Sequence, residues 1–449
     1  MLFCHNLQQD LKFLTHNMQH VLLYLKKNSI FGIIEIGKIY RISISSRHGT
    51  IDDIESSNCM NHVVTIYNNH RRSSVFSNDV SVSGIYKSID KSIIMSKHID
   101  VDKHLRFPDI NLLYKNNKTI NIFFPKLFSL KEINNLVNIT DFYALNFDSK
   151  ITGTEGSVFE YFIDLKILGN SCDWIGTRMS TRYYLSSCTI ASSQGCMEKD
   201  FSYTTARDFK DLDKPVWIGK SSARKSIAKL NSKKIATQIS PIIIKSDISY
   251  ELFIDLKRAI NGYAVYKKST FLLNYIDKQI FPTWLNIFEN PFLDKGLSSN
   301  LFDNEGIATV SRKIINNGVL KTWLLDTYSA NRLNMLNTGH SGGTYNWLIS
   351  TKKKVIQSFD QILDLMYTGF LVTELFGDGV NIVTGDYSRG VCGFWIDHGK
   401  IKYPVHGVTI SGNLLNMWNN MITLANDINS NNSIQCASIL IDKVQISGF

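Results

Sequence analysis

Eight glycines crowd one stretch late in the chain: Gly377, Gly379, Gly385, Gly390, Gly393, Gly399, Gly407 and Gly412. Glycine enters backbone conformations that other residues avoid, so such density marks tight turns and close backbone approach. Within it, Phe394-Trp-Ile396 and Ile401-Lys-Tyr403 flank Asp397-His398-Gly399, the pattern of a hairpin loop between two strands. Asn413 follows as a helix N-cap, with Leu414, Met417, Trp418 and Met421 on one helical face.

The rest of the chain switches between the helical and strand periods. Leu7, Leu11, Leu14, Met18, Val21 and Leu25 recur at steps of three and four, one face of an amphipathic helix. The apolar run Ile30 to Ile36, the alternating Tyr40 to Ser46, and Val63 to Tyr67 predict strands. A helix is expected over 81–95, and the aperiodic Asp100 to Asp109, with Pro108, is expected to be a boundary. Ser129 and Glu132 ahead of Ile133, Leu136 and Val137 form a capping box. Val158 to Tyr203, rich in β-branched and aromatic residues, suits an antiparallel meander. Helices are expected over Ser221 to Leu230 and Tyr250 to Val265. Ile239 to Lys245 is expected to be a strand with Pro241 at a sheet edge. Meanders mixed with separate helices favour an α+β fold over a doubly wound sheet. Three blocks are expected: 1–110, a mixed N-terminal α/β region; 120–235, a central meander with helices; and 236–449.

Hydrophobic residues at 44% and charged residues at 20% describe a globular chain rather than a disordered one. Seven cysteines, an odd number with no C-x-x-C spacing, argue against a disulfide framework or a zinc ribbon and suit a reducing cytoplasm. No apolar run approaches the roughly 18 residues of a membrane span, so no membrane partner is expected. The N-terminus lacks the basic region of a signal peptide. The net charge of +10 invites a nucleic-acid reading, but Arg71-Arg72 and Lys352-Lys353-Lys354 are short, isolated runs that a solvated face explains.

Motifs for chemistry are sparse. His16 and His20 have the i, i+4 spacing of a zinc helix but no adjacent Glu, and fall on the polar side of the first helix. Gly377-Asp-Gly379 fails the dinucleotide fingerprint at its third glycine. Two loops remain. His340 sits in Thr338-Gly-His-Ser-Gly-Gly343. Asp386, Tyr387, Ser388 and Arg389 lie between Gly385 and Gly390, where Asp386 and Arg389 could instead pair across a turn. Cys436, in an apolar segment, most simply fills a core position.

Whole segments are nonetheless recognisable. They include Gly318-Val-Leu-Lys-Thr-Trp-Leu-Leu325, Thr338-Gly-His-Ser-Gly-Gly343, Thr384-Gly-Asp-Tyr-Ser-Arg-Gly390, Ile410-Ser-Gly-Asn-Leu414 and Asn431-Asn-Ser-Ile-Gln-Cys436. Upstream stand Thr152-Gly-Thr-Glu-Gly156, Met197-Glu-Lys-Asp200 and Val265-Tyr-Lys-Lys-Ser-Thr-Phe-Leu-Leu273. In these the chain resembles the TldD/PmbA family of zinc metallopeptidases, over most of its length.

The resemblance implies a C-terminal, mainly antiparallel, barrel-like domain with helices. In the TldD branch a helix bears H-E-x-x-x-H, and a later Cys completes a zinc site. No H-E-x-x-x-H occurs here. Asp255-Leu-Lys-Arg-Ala-Ile260 stands at the corresponding place, and Cys436 lies where the TldD cysteine would be. The resemblance therefore implies a non-catalytic subunit of a heterodimer. This chain would bind no cofactor or metal and carry no catalytic residue. A TldD-like partner would hold zinc and cut extended peptides in a cavity that both help to enclose. His340 and Asp386, Tyr387, Ser388 and Arg389 are the expected substrate contacts. Two alternatives remain: an independent hydrolase using His340 with Asp386, and a basic regulatory protein associated with nucleic acid.

Overall fold

The computed structural model describes residues 7–115, 118–351 and 356–448; Cys4 and Lys352 to Lys354 lie outside them. The chain opens with α1 (Leu7–Lys27), whose buried Leu14, Met18, Val21 and Leu25 are the stripe the spacing predicts. Strands β1 (Phe31–Arg47), β2 (Thr50–Asn68) and β3 (Arg71–Ser77) follow, then α2 (Val82–Ser96), capped by Ser81. Next come α3 (Leu130–Leu145), with the Ser129–Glu132 capping box formed, then β4 (Ile151–Asn170), β5 (Trp174–Ser193), β6 (Cys196–Ala206) and α4 (Pro215–Ala228).

The six strands make one antiparallel sheet in the order β3-β2-β1-β4-β5-β6. β1 and β4 pair without interruption from Ile33↔Asn170 to Ser46↔Ser157, so the first two sequence blocks contribute three strands each to the same sheet. The two short strands expected over 30–46 are a single strand, β1. β2 begins earlier than expected because residues 50–59 are exposed and show no apolar alternation. Alternate residues of the sheet, among them Ile42, Ile44, Phe159, Tyr161, Ile163 and Tyr183, are buried with residues of α3 and α4. A second cluster joins Ile34, Ile36, Leu165 and Ile167 to α1 and α2. Helices thus cover one face, and the period of two leaves the other face for different residues.

The C-terminal region begins with β7 (Gln238–Ile244), α5 (Glu251–Ala259) and α6 (Gly262–Tyr266). There follow β8 (Leu285–Asn290), β9 (Arg312–Asn316), β10 (Val319–Leu320), α7 (Thr327–Leu333), β11 (Asn346–Thr351), β12 (Ile356–Gln357) and α8 (Phe359–Met366). It ends with β13 (Gly369–Phe376), β14 (Val380–Asn381), β15 (Asp386–Asp397), β16 (Lys400–Asn413), α9 (Leu414–Asn419), β17 (Met421–Ala425), β18 (Ile434–Gln435) and β19 (Ile439–Ser447). One sheet runs β10-β9-β8-β11-β18. In the other, β7, β13, β15, β16 and β19 pair in turn and β19 returns to β7, closing a five-stranded barrel. The fold is α+β, as expected.

The structure revises further local expectations. Pro241 sits not at an edge but in β7, between β13 and β19. It falls where the β7–β19 register shifts between Ile441 and Val444, so no ladder bond asks for its missing N–H. The helix expected over 250–265 breaks in two, because Asn261 caps α6 and the Gly262 N–H donates to the Leu324 carbonyl at 2.8 Å. The hairpin forms as expected, with Asp397 opposite Lys400 and His398 and Gly399 at φ 54° and 68°. Asn413 caps α9, while Met421 begins β17 rather than extending the helix.

Gly219 in α4 lets that helix approach α3: a Cβ there would lie 2.2 Å from the Thr140 carbonyl oxygen. Helix propensity alone favours Gly219→Ala by about 1 kcal/mol, but overpacking costs about 1–3 kcal/mol. Urea unfolding of Gly219→Ala should therefore show a net loss of about 1 kcal/mol. A gain would contradict this packing.

Candidate functional site

The uncovered sheet face is built by alternation. On β5, Arg178, Ser180, Arg182 and Tyr184 alternate with Met179, Thr181 and Tyr183, which are directed to the helix-covered side. Cross-strand pairing sets Phe162 of β4 opposite both Arg41 of β1 and Arg182 of β5. Both guanidiniums lie over the Phe162 ring, 5.6 and 4.8 Å from its centroid. This face forms one wall of a cavity of about 730 Å³. C-terminal segments within 297–304, 341–345 and 431–433 form the other. Basic residues that looked scattered along the sequence thus meet aromatic side chains through strand pairing.

The charges of the sheet wall are partly matched. Arg178 donates to Asp164 at 3.0 Å, and Arg41 pairs with Glu160. Arg207 spends its nitrogens on the carbonyls of Thr181, Gly296 and Leu297, at 3.0, 3.3 and 2.5 Å. Burial, then the charges of Arg178 and Arg182, lower its pKa to about 10, so it stays cationic at neutral pH.

Across the cavity, Asp303 fastens the glycine loop. Its carboxyl accepts main-chain N–H bonds from Glu305 at 2.9 Å, Ile307 at 3.0 Å and Ser341 at 3.0 Å. Burial, followed by the neighbouring Glu305 charge, pushes Asp303 up to about 8 despite those donors. Gly342, at φ 98°, stands where glycine is favoured, because L side chains rarely adopt that backbone conformation, and a Cβ there would also displace the Asn304 side chain.

His340 lies beneath this loop and is buried. Its Nε2 meets Glu289 Oε2 at 2.9 Å, and its Nδ1 meets Thr338 Oγ1 at 2.8 Å. Glu289, wholly buried on β8, also accepts from the Tyr345 N–H at 3.1 Å and Trp347 Nε1 at 3.0 Å. Burial would raise the Glu289 pKa, but the hydrogen bond and charge of His340 and these donors hold it below the ordinary value.

The other four expected residues begin strand β15 instead of forming a glycine-bounded loop. Side chains alternate along a strand, so the expected Asp386–Arg389 pairing gives way to separate partners. Asp386, exposed, accepts from Thr384 Oγ1 at 2.6 Å, and Arg389 pairs with Glu251 of α5. Tyr387 is buried and its phenol is pushed up by that burial. Ser388 is exposed, and its N–H donates to the Gly379 carbonyl at 2.8 Å. His340 and Asp386 therefore sit in separate networks, and none of the five residues lines the cavity. Arg178, Arg182 and Arg207, which do, were missed. The signal available for two of them was the period-two run of β5.

Four helices thus back the six-stranded sheet, and across the polar cavity stand loops of the sheet that contains β8, β11 and β18. Residues 237–448 match the family model described as the PmbA/TldA metallopeptidase C-terminal domain. The chain belongs to the PmbA/TldD family, and its similarity lies with the PmbA members. It is 40% identical to the metalloprotease PmbA homolog of Buchnera aphidicola subsp. Acyrthosiphon pisum, over 95% of both chains. It is also 40% identical to metalloprotease PmbA of Escherichia coli O157:H7, over 92% of both. A solved structure from Bacteroides thetaiotaomicron, described as a candidate modulator of DNA gyrase, superposes over 100% of both chains with TM-score 0.90 and 25% identity.

The donor set of this chain does not fit the zinc of its family. Among the described residues, no three His, Cys, Asp or Glu side chains are grouped to hold a metal ion. On α5, Glu251 is taken by Arg389, and Asp255 contacts Arg258 at 3.3 Å, its carboxyl pushed up to about 6 by burial. Cys436 is buried with its thiol donating to the Ala437 carbonyl at 3.3 Å, and among the described residues no two further donors stand with it to complete a metal site.

Two outcomes follow. His340→Ala removes one donor from the buried Glu289, leaving Arg312 at 3.7 Å and the Tyr345 and Trp347 donors, and should cost about 2 kcal/mol in denaturant unfolding; a loss under about 0.5 kcal/mol would refute a supporting role. Asp303 has a raised folded pKa, so its contribution to stability is full below about pH 4 and is lost as pH rises toward about 8. The melting temperature should fall over that range, and Asp303→Asn should show a shallower fall. Parallel curves would assign the loss elsewhere.

Proposed function

We propose that this chain is the non-catalytic subunit of a TldD-type metalloprotease heterodimer. It would hold an extended peptide in the cavity between the six-stranded sheet and the C-terminal loops. The observation that carries the reading is this cavity, about 730 Å³ and mostly polar in its lining residues, in a metalloprotease relative whose own donors do not suit zinc. Such a volume suits a small ligand or a few residues of extended chain. Tyr184 and Tyr203 stack at 5.7 Å beside it, and Asn431 and Asn432 offer amides for a peptide main chain. His340 would act by holding the glycine loop, and the exposed Asp386 and Ser388 would offer an outer contact. Residues 1–110 and 120–235 would work as one sheet-bearing half and 236–449 as the other. The six free cysteines among the described residues support a reducing, cytoplasmic setting.

Mixing the purified chain with a TldD-like subunit bearing H-E-x-x-x-H should give a stable complex by size-exclusion chromatography and peptide cleavage that needs both. Stoichiometric zinc and cleavage by this chain alone would overturn the reading.

A further inference from the structure

We propose that Arg182 makes the cavity a carboxylate-recognition site, taking an acidic side chain or the C-terminal carboxylate of a bound peptide. The inference rests on the peptide reading above and adds a specificity to it. It follows from which lining charges are already matched. Arg178 is held by Asp164, and Glu160 is held by Arg41. Asp303 is engaged by three main-chain N–H donors. Arg207 is cationic and gives its nitrogens to carbonyl oxygens, while the Asp164 charge acts on it through space. Arg182 is exposed to the cavity; its guanidinium lies over the Phe162 ring, and among the described residues it makes no side-chain hydrogen bond or ion pair. Among the described residues, the cation of the cavity wall left without an ionic partner is therefore Arg182.

Geometry selects the form of the anion. The Phe162 ring supports the Arg182 guanidinium by its face, which leaves the N–H fork free, and that fork matches the two oxygens of a carboxylate. Arg41 lies over the same ring and keeps like charge near it. Glu160 and Asp164 flank this row on β4, so the wall suits a singly charged group better than the several charges of a polyphosphate. The chain also lacks the G-x-x-x-x-G-K-[ST] phosphate loop.

The test is fluorescence anisotropy with the full chain and three short extended peptides of otherwise equal, uncharged sequence. One has a free C-terminal carboxylate, one a C-terminal amide, and one a C-terminal amide with a single internal Glu. At least one carboxylate peptide should bind roughly tenfold tighter than the neutral amide, the scale of a charge-assisted hydrogen bond, and whichever does so identifies the source of the carboxylate. Arg182→Gln should bring the carboxylate and amide peptides to within about twofold of one another, while Arg182→Lys should keep part of the difference. Arg182 is exposed, so both variants should melt like the wild type. Equal binding of all three peptides, or a preference that survives Arg182→Gln, overturns the carboxylate site and leaves the peptide reading standing. Tighter binding of a nucleoside triphosphate than of any peptide also overturns it. Failure of all three peptides to bind overturns both.

Discussion

The β1–β4 ladder is the constraint on which the rest depends. It joins segments more than a hundred residues apart and fuses two three-stranded units into one sheet. Its register decides which residues the helices cover. A slip of one residue would turn Tyr161 and Ile163 toward the cavity and Phe162 toward the helices. The aromatic–arginine wall is thus a product of strand pairing and not of any contiguous motif. The cost of closing so long a connection is met by apolar burial on the helix side.

The opposite wall is held by buried polar groups. Glu289 and His340 brace the loop from below, and Asp303 fastens it at Ser341. Buried carboxylates are tolerated only when surrounded by donors, and both Glu289 and Asp303 are. Such groups stiffen a loop whose glycines would otherwise leave it free, and they fix the width of the cavity. Where the resemblance implies metal chemistry, α5 and β15 instead carry the Glu251–Arg389 ion pair.

Local features were legible where one face is buried and the other wet. The α1 stripe, the Ser129 capping box, the β4–β6 meander, the His398–Gly399 hairpin and the Asn413 cap each follow from side-chain period or turn chemistry. The first half of β2 was not legible, because Asp52, Asp53 and Glu55 stand in a strand with neither face buried. The break at Asn261 depends on Leu324, and the placement of Pro241 on barrel closure, both tertiary facts. Of the site, the glycine loop beside His340 was visible, but its role in support of a cavity wall was not. Arg182 was visible only as a polar position in the period-two run of β5, and its pairing with Phe162 gives it a setting.

Main-chain hydrogen exchange, measured with and without a saturating extended peptide, tests the central claim that the cavity holds substrate. The account predicts slowed exchange at Ser341 to Tyr345 and at Tyr203 to Thr205, with α1 unchanged. Protection confined to Asp386 to Arg389, with the cavity walls unaffected, would contradict it.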